Sequence, residues 1–233
     1  MAGFANPARF MAMSGALLPW LAIACMLTLG CGLFLSFTVP PDYQQGMTVT
    51  LMFIHVPAAI VAEGAYGLIA VCSLFSLVWR HPLADTAARA AAPLGALFTA
   101  LGLVTGSLWG RPMWGTFWVW DARLTSFLLL LFLYLGYMAL WDAIEDETRA
   151  ARVTSVFALI GAVNIPIIKF SVEWWNTLHQ GESVLSGKLA AVYLWPLLAM
   201  TCAYGSLFIT LWMVRVRTAI LDRRARRLML GSA

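Results

Sequence analysis

Charge is what this sequence has least of. Asp, Glu, Lys and Arg make up 11% of its 233 residues, where a soluble domain carries about a quarter. With 61% hydrophobic residues and a mean hydropathy of +0.81, an ordinary soluble globule is excluded. Nor is there a CxxC pair or a CxxCH, which excludes a dithiol redox motif and covalent haem attachment of the c type. The four cysteines, Cys25, Cys31, Cys72 and Cys202, lie inside apolar runs, where a small thiol is a packing residue. Without a GxxxxGK[ST] loop, any ATP-driven step needs another subunit. No internal repeat of the kind found in many secondary transporters is present. The connections "RHPLADTAARAAAP" and "DAIEDETRAAR" leave no room for a catalytic domain, so the chain is not expected to be an enzyme.

What is there is length without charge. A bilayer crossing takes about 20 mostly apolar residues, and six runs qualify: 17–38, 52–79, 91–109, 124–141, 153–168 and 191–214. Unpaired backbone groups are not tolerated in lipid, so each run is a helix or a barrel strand. Near-continuous stretches such as "FLLLLFLYLGYMALW" lack the alternation of a barrel strand. The expected class is therefore all-α, a polytopic membrane protein of six helices in one domain over 1–233. The first run is read as a retained span rather than a cleaved signal peptide.

Basic residues set the orientation. Arg111, Arg123, Lys169 and Lys188 fall on one side of the spans and the other eleven of the fifteen on the opposite side. The positive-inside bias then puts both termini in the cytoplasm and the Trp-rich stretch "PMWGTFWVWDARLTS" outside. The net charge of +4 reflects this topology and gives no argument for nucleic acid.

Chemistry-bearing residues gather on the outer face. His55, in "FIHVPAA", and His179, in "EWWNTLHQG", are its two histidines, while His81 follows Arg80 on the other side as an interface residue. Each outer histidine is either an interfacial polar group or one of a pair of axial imidazoles for a haem iron. Trp109, Trp114, Phe117, Trp118 and Trp120 exceed what anchoring one helix requires. If the stretch were helical, Trp114, Trp118 and Asp121 would share a face and form an amphipathic aromatic shelf over about 109–126. Such a shelf suits a flat conjugated ring, and Arg123 could hold a carboxylate bidentately. Asp121 either orients Arg123 or caps the fourth helix. Trp174 and Trp175 precede His179 closely enough to give it aromatic company.

"WGTFWVWDARLTS" resembles the tryptophan-rich WWD signature of the haem handling proteins, and "HVPAA", "VEWWNTLHQG" and "PPDYQQG" resemble segments of its CcmC branch, in the same order. The resemblance runs over most of the chain and implies a six-helix inner-membrane protein of cytochrome c maturation. It also implies haem b bound at the periplasmic face and passed to the haem chaperone CcmE, beside CcmD and the ABC-type pair CcmA and CcmB. By the same resemblance His55 and His179 are the axial ligands, and Trp114, Trp118, Trp120 and Asp121, followed by Arg123, are the WWD residues. The synthetase-like CcmF branch is much longer.

Two other classes remain open. A membrane electron-transfer subunit would keep its haem permanently, and a transporter would need a polar route, toward which Glu63 and Asn164 are thin support. Glu63 lies eight residues beyond His55, roughly 12 Å deeper at 1.5 Å per residue. An ionisable group in a span is either functional or a protonated side chain at a helix contact.

Overall fold

Lipid-facing backbone must satisfy itself, and the apolar runs do so as helices. The computed structural model describes residues 6–175, 177, 179 and 189–231; Lys188 lies outside them. The elements are α1 (Pro7–Thr38), α2 (Met52–Trp79), α3 (Pro82–Trp114), α4 (Ala122–Ala143), α5 (Glu147–Gly161), α6 (Asn164–Trp174) and α7 (Ala191–Gly231), with a short 3-10 turn, Met47–Leu51, leading into α2. Among the described residues there is no strand beyond one isolated bridge, Asp42 to Gly46. Six segments are long and apolar enough to cross a membrane, α5 and α6 together forming one of them.

α1, α3, α4 and α5 begin ahead of the apolar windows because polar N-caps set their starts. Asn6, His81, Asp121 and Asp146 each accept a hydrogen bond from a backbone N–H in the first turn of the following helix, a contact worth about 1 kcal/mol. Thus His81 caps α3. The fifth crossing is broken at 161–164, where Pro166 supplies no N–H to continue the ladder. Buried Asn164 holds the break in place, its Nδ2 donating to the Ser126 carbonyl at 2.8 Å.

Close packing depends on glycine. A Cβ on Gly95 would sit 2.2 Å from Tyr134 Cζ, so the phenol of α4 lies across α3 and donates to the Ala62 carbonyl of α2 at 2.6 Å. Tyr66 meets that ring edge-on at 5.1 Å. α1 stands outside this core against α7, with Gly32 admitting Met200. Its outward side chains, such as Trp20 at 71% exposure, are apolar. Such a surface requires lipid or protein cover, as in a multi-pass membrane protein.

Two ends can be told apart by contacts. At one, Arg217 of α7 donates to the Met11 carbonyl at 2.6 Å and Arg223 to Thr86 at 2.9 Å, so both termini share it. At the other, Tyr193 reaches the Pro40 carbonyl and Trp109 reaches Gln45.

Candidate functional site

The end of the bundle away from the termini is organised by the last turns of α3. Gly102, Gly106 and Gly110 recur every fourth residue, so they lie on one face of that helix. A Cβ on Gly106 would stand 2.8 Å from His55 Cε1, and one on Gly110 would stand 2.9 Å from Trp114 Cε3. The missing side chains therefore seat an imidazole from α2 and the indole that ends α3. Spacing of this kind was readable in "GLVTGSLWG" as a small-residue groove; neither Gly102 nor Gly106 stands out by chemistry alone.

His55 is held through one nitrogen. Its Nδ1 lies 2.9 Å from the Gly102 carbonyl. A carbonyl only accepts, so Nδ1 carries the proton and Nε2 keeps its lone pair. Trp109 meets the ring edge-on at 5.8 Å and is itself fixed by donation to Gln45 Oε1 at 3.0 Å.

His179 is held the same way by a different acceptor. Its Nδ1 lies 3.4 Å from Asp121 Oδ2, a long bond that again leaves Nε2 with a lone pair. Thr177 donates to the same carboxylate and accepts from the His179 N–H at 3.1 Å. Asp121 also caps α4 through Leu124 N–H at 2.8 Å, so one carboxylate ties the loop after α6 to the start of α4. Burial pulls His179 below its usual value near 6.5, against the opposing pull of Asp121. Burial pushes Asp121 up, but hydrogen bonds from Thr177, Leu124 and His179 outweigh it and hold the carboxyl below its usual 3.8. The resident species are a neutral imidazole and a carboxylate.

The Trp114 ring packs against His179 at 4.8 Å. The helical arrangement that would put Trp114, Trp118 and Asp121 on one face is not formed. α3 stops at Trp114 because Gly115 takes a left-handed φ of 77° and returns its N–H to the Arg111 carbonyl, a conformation glycine adopts without steric cost. Residues 115–121 are irregular, and Asp121 begins the next helix. Trp114, Trp118 and Asp121 therefore share no helical face. Trp118 and Trp120 instead pack edge-on at 5.5 Å, with Trp120 76% exposed.

Arg123 is half-buried, its fork 3.4 and 3.5 Å from the Ile168 and Lys169 carbonyls of α6 and within electrostatic reach of Glu63 and Asp121. Trp174 stacks on Phe170 at 5.3 Å and Trp175 packs on Trp174, whereas the ring recorded against His179 is that of Trp114. Arg111, not singled out from the sequence, donates to the Gly115 carbonyl and lies 5.3 Å over Phe117.

These residues suit a porphyrin better than a bare ion. Among the described residues no three His, Cys, Asp or Glu side chains converge to hold a metal, but two imidazoles suffice for an iron that brings four ring nitrogens. Two N–H groups, Trp118 Nε1 and Arg123 Nε, are buried with no acceptor among the described residues.

The family model described as heme exporter protein C matches residues 1–231. The chain belongs to the CcmC, heme exporter protein C, family. It is 56% identical over 232 residues to the heme exporter protein C of Bradyrhizobium diazoefficiens, covering 98% of this chain and 88% of the relative. It is 47% identical to that of Escherichia coli K12, covering 96% and 91%, and 46% identical to that of Paracoccus denitrificans, covering 97% and 95%.

Proposed function

We propose that this CcmC-family chain binds haem b at the periplasmic face of the bacterial inner membrane and hands it to the chaperone CcmE during cytochrome c maturation. One observation carries the reading: two imidazoles, on different elements and both packed by the last turns of α3, each commit Nδ1 to a protein acceptor and keep Nε2 for a metal. That is the state an axial ligand needs, with its acceptor fixing ring orientation and basicity.

In this reading haem is cargo. His55 and His179 hold the iron, Trp114, Trp118 and Trp120 offer aromatic contact to the ring, and Trp118 Nε1 and Arg123 Nε take propionate oxygens. Arg111, exposed on the same face, is a second cation for a carboxylate. Trp174 and Trp175 flank the loop that carries His179 and stand at the docking side for the chaperone. The chain makes and breaks no covalent bond, so it is a binding and delivery protein, not an enzyme. ATP hydrolysis falls to CcmA, with CcmB and CcmD completing the ABC-type membrane complex; nucleic acid has no part.

The test is the visible spectrum of the purified chain with His55→Ala and His179→Ala. Each variant is expected to lose the bis-histidine Soret and α/β bands, and wild-type occupancy in both would overturn the ligand assignment. Added CcmE should strip haem from the wild type. A haem that instead stays bound and is reduced by quinol would favour the electron-transfer reading.

A further inference from the structure

The end of the bundle that carries both termini has a cavity of its own, of about 550 Å³. It lies where α2 and α4 end and α3 and α5 begin, with α7 closing one side. Its wall carries three guanidiniums, Arg80, Arg152 and Arg223, against two carboxylates, Asp85 and Glu147, which leaves one positive charge in excess.

The charges are unevenly matched. Arg223 lies 3.9 Å from Glu147, is within electrostatic reach of Asp85, and donates to Thr86 at 2.9 Å. Arg80 and Arg152 form no hydrogen bond or ion pair among the described residues. Trp141, 7% exposed, also lines the cavity, with its indole N–H buried beside the Tyr137 hydroxyl. Arg80 also holds a left-handed φ of 49° at the end of α2, a conformation that costs roughly 1–2 kcal/mol for a residue with a Cβ.

We infer that this cavity binds the headgroup of an anionic phospholipid, its phosphodiester oxygens accepting from Arg80 and Arg152. Charge chooses between sources of phosphate. A net-anionic phosphodiester lipid brings one negative charge and neutralises the excess, whereas a zwitterionic lipid brings none and free phosphate brings up to two. Depth agrees, since Trp79 and Trp141 end their helices at the level where aromatic side chains meet headgroups, and basic pockets between helix ends are suited to such lipids. Leu77 and Ala151 give the cavity an apolar wall, and Val78 beside it is exposed for an acyl chain.

The experiment is native mass spectrometry of the full chain in neutral detergent, titrated with phosphatidylglycerol, phosphatidylcholine or inorganic phosphate. Wild type should retain one phosphatidylglycerol in preference to phosphatidylcholine. Arg80→Gly and Arg152→Gln should each bind it about tenfold or more weakly, the loss of a charge-assisted hydrogen bond. Arg80→Gly also relieves the left-handed backbone, so weak binding there is not a folding failure. Arg224→Gln, exposed on α7 and about 100° round the helix from Arg223, should bind as wild type. The proposal is overturned if Arg80→Gly and Arg152→Gln bind normally, if the two lipids bind equally, or if inorganic phosphate displaces the lipid at equal concentration. Wild type that retains no lipid would also overturn it, pointing to an acidic partner segment.

Discussion

Asp121 Oδ2 lies 3.4 Å from His179 Nδ1, while Oδ1 of the same residue caps α4 at Leu124 N–H. Asn keeps an oxygen for the cap but no charge for the imidazole; Ala keeps neither. Asp121→Asn should therefore melt near wild type yet bind haem about tenfold or more weakly, the usual loss when a ligand's supporting partner is removed. Asp121→Ala should lose affinity and also about 1 kcal/mol of stability. Haem titration with calorimetric melting separates the two, and unchanged affinity in Asp121→Asn would reduce the carboxylate to a cap.

The same pair predicts acid sensitivity in two windows. Folding depresses His179 below its usual 6.5, chiefly by burial. The undocked loop then takes a proton that the docked loop refuses, so docking is at full strength above 6.5 and weakens as pH falls below it. Folding also holds Asp121 below 3.8, so its contribution is complete above that value and is lost at more acid pH. Trp fluorescence followed from about pH 8 to about pH 3 should show both losses. His179→Gln should remove the upper window and leave the lower.

The helical class and six crossings were legible because a bilayer imposes length and uniform apolarity, which survive in a single sequence. His55 and His179 stood out in the sequence as candidates because so few polar groups accompany them at that end of the spans. Their acceptors were not: the Gly102 carbonyl has no side-chain signature, and Asp121 meets His179 only through the loop carrying Thr177. The aromatic stretch misled because counting residues assumes a continuous helix, whereas Gly115 and the Asp121 cap end one helix and start another. Arg123 could not be oriented from sequence, since its carbonyl partners lie in α6, beyond the break at 161–164.

The indoles of the stretch should not be equivalent. Trp114 packs against His179, whereas Trp120 is open to the outside. Trp114→Leu should disturb the iron coordination spectrum as well as affinity, because the imidazole loses its packing neighbour. Trp120→Leu should lower affinity with the band positions intact, since it removes only a ring face. Visible and magnetic circular dichroism spectra at saturating haem report the difference. Identical spectra for the two variants would show that Trp114 does not position the ligand.

Gly106 offers the sharpest separation of fold from site. Its absent Cβ leaves room for the His55 ring, and a methyl there would sit 2.8 Å from Cε1 and 3.1 Å from Nδ1. Within α3, Ala is a better helix former than Gly by about 1 kcal/mol, so Gly106→Ala gains helix stability while pressing on the imidazole. The ring must shift, and its 2.9 Å bond to the Gly102 carbonyl must lengthen or break. That frees the proton to move to Nε2 and removes the lone pair that would ligate iron in the proposed site. Gly106→Ala should insert and melt like wild type, within about 1 kcal/mol, and lose the low-spin bis-histidine spectrum, leaving a high-spin, singly ligated form. Gly110→Ala, whose added methyl meets Trp114 instead, should keep the His55 bond. A Gly106→Ala protein with the wild-type spectrum would mean that His55 binds iron without the carbonyl that now holds it.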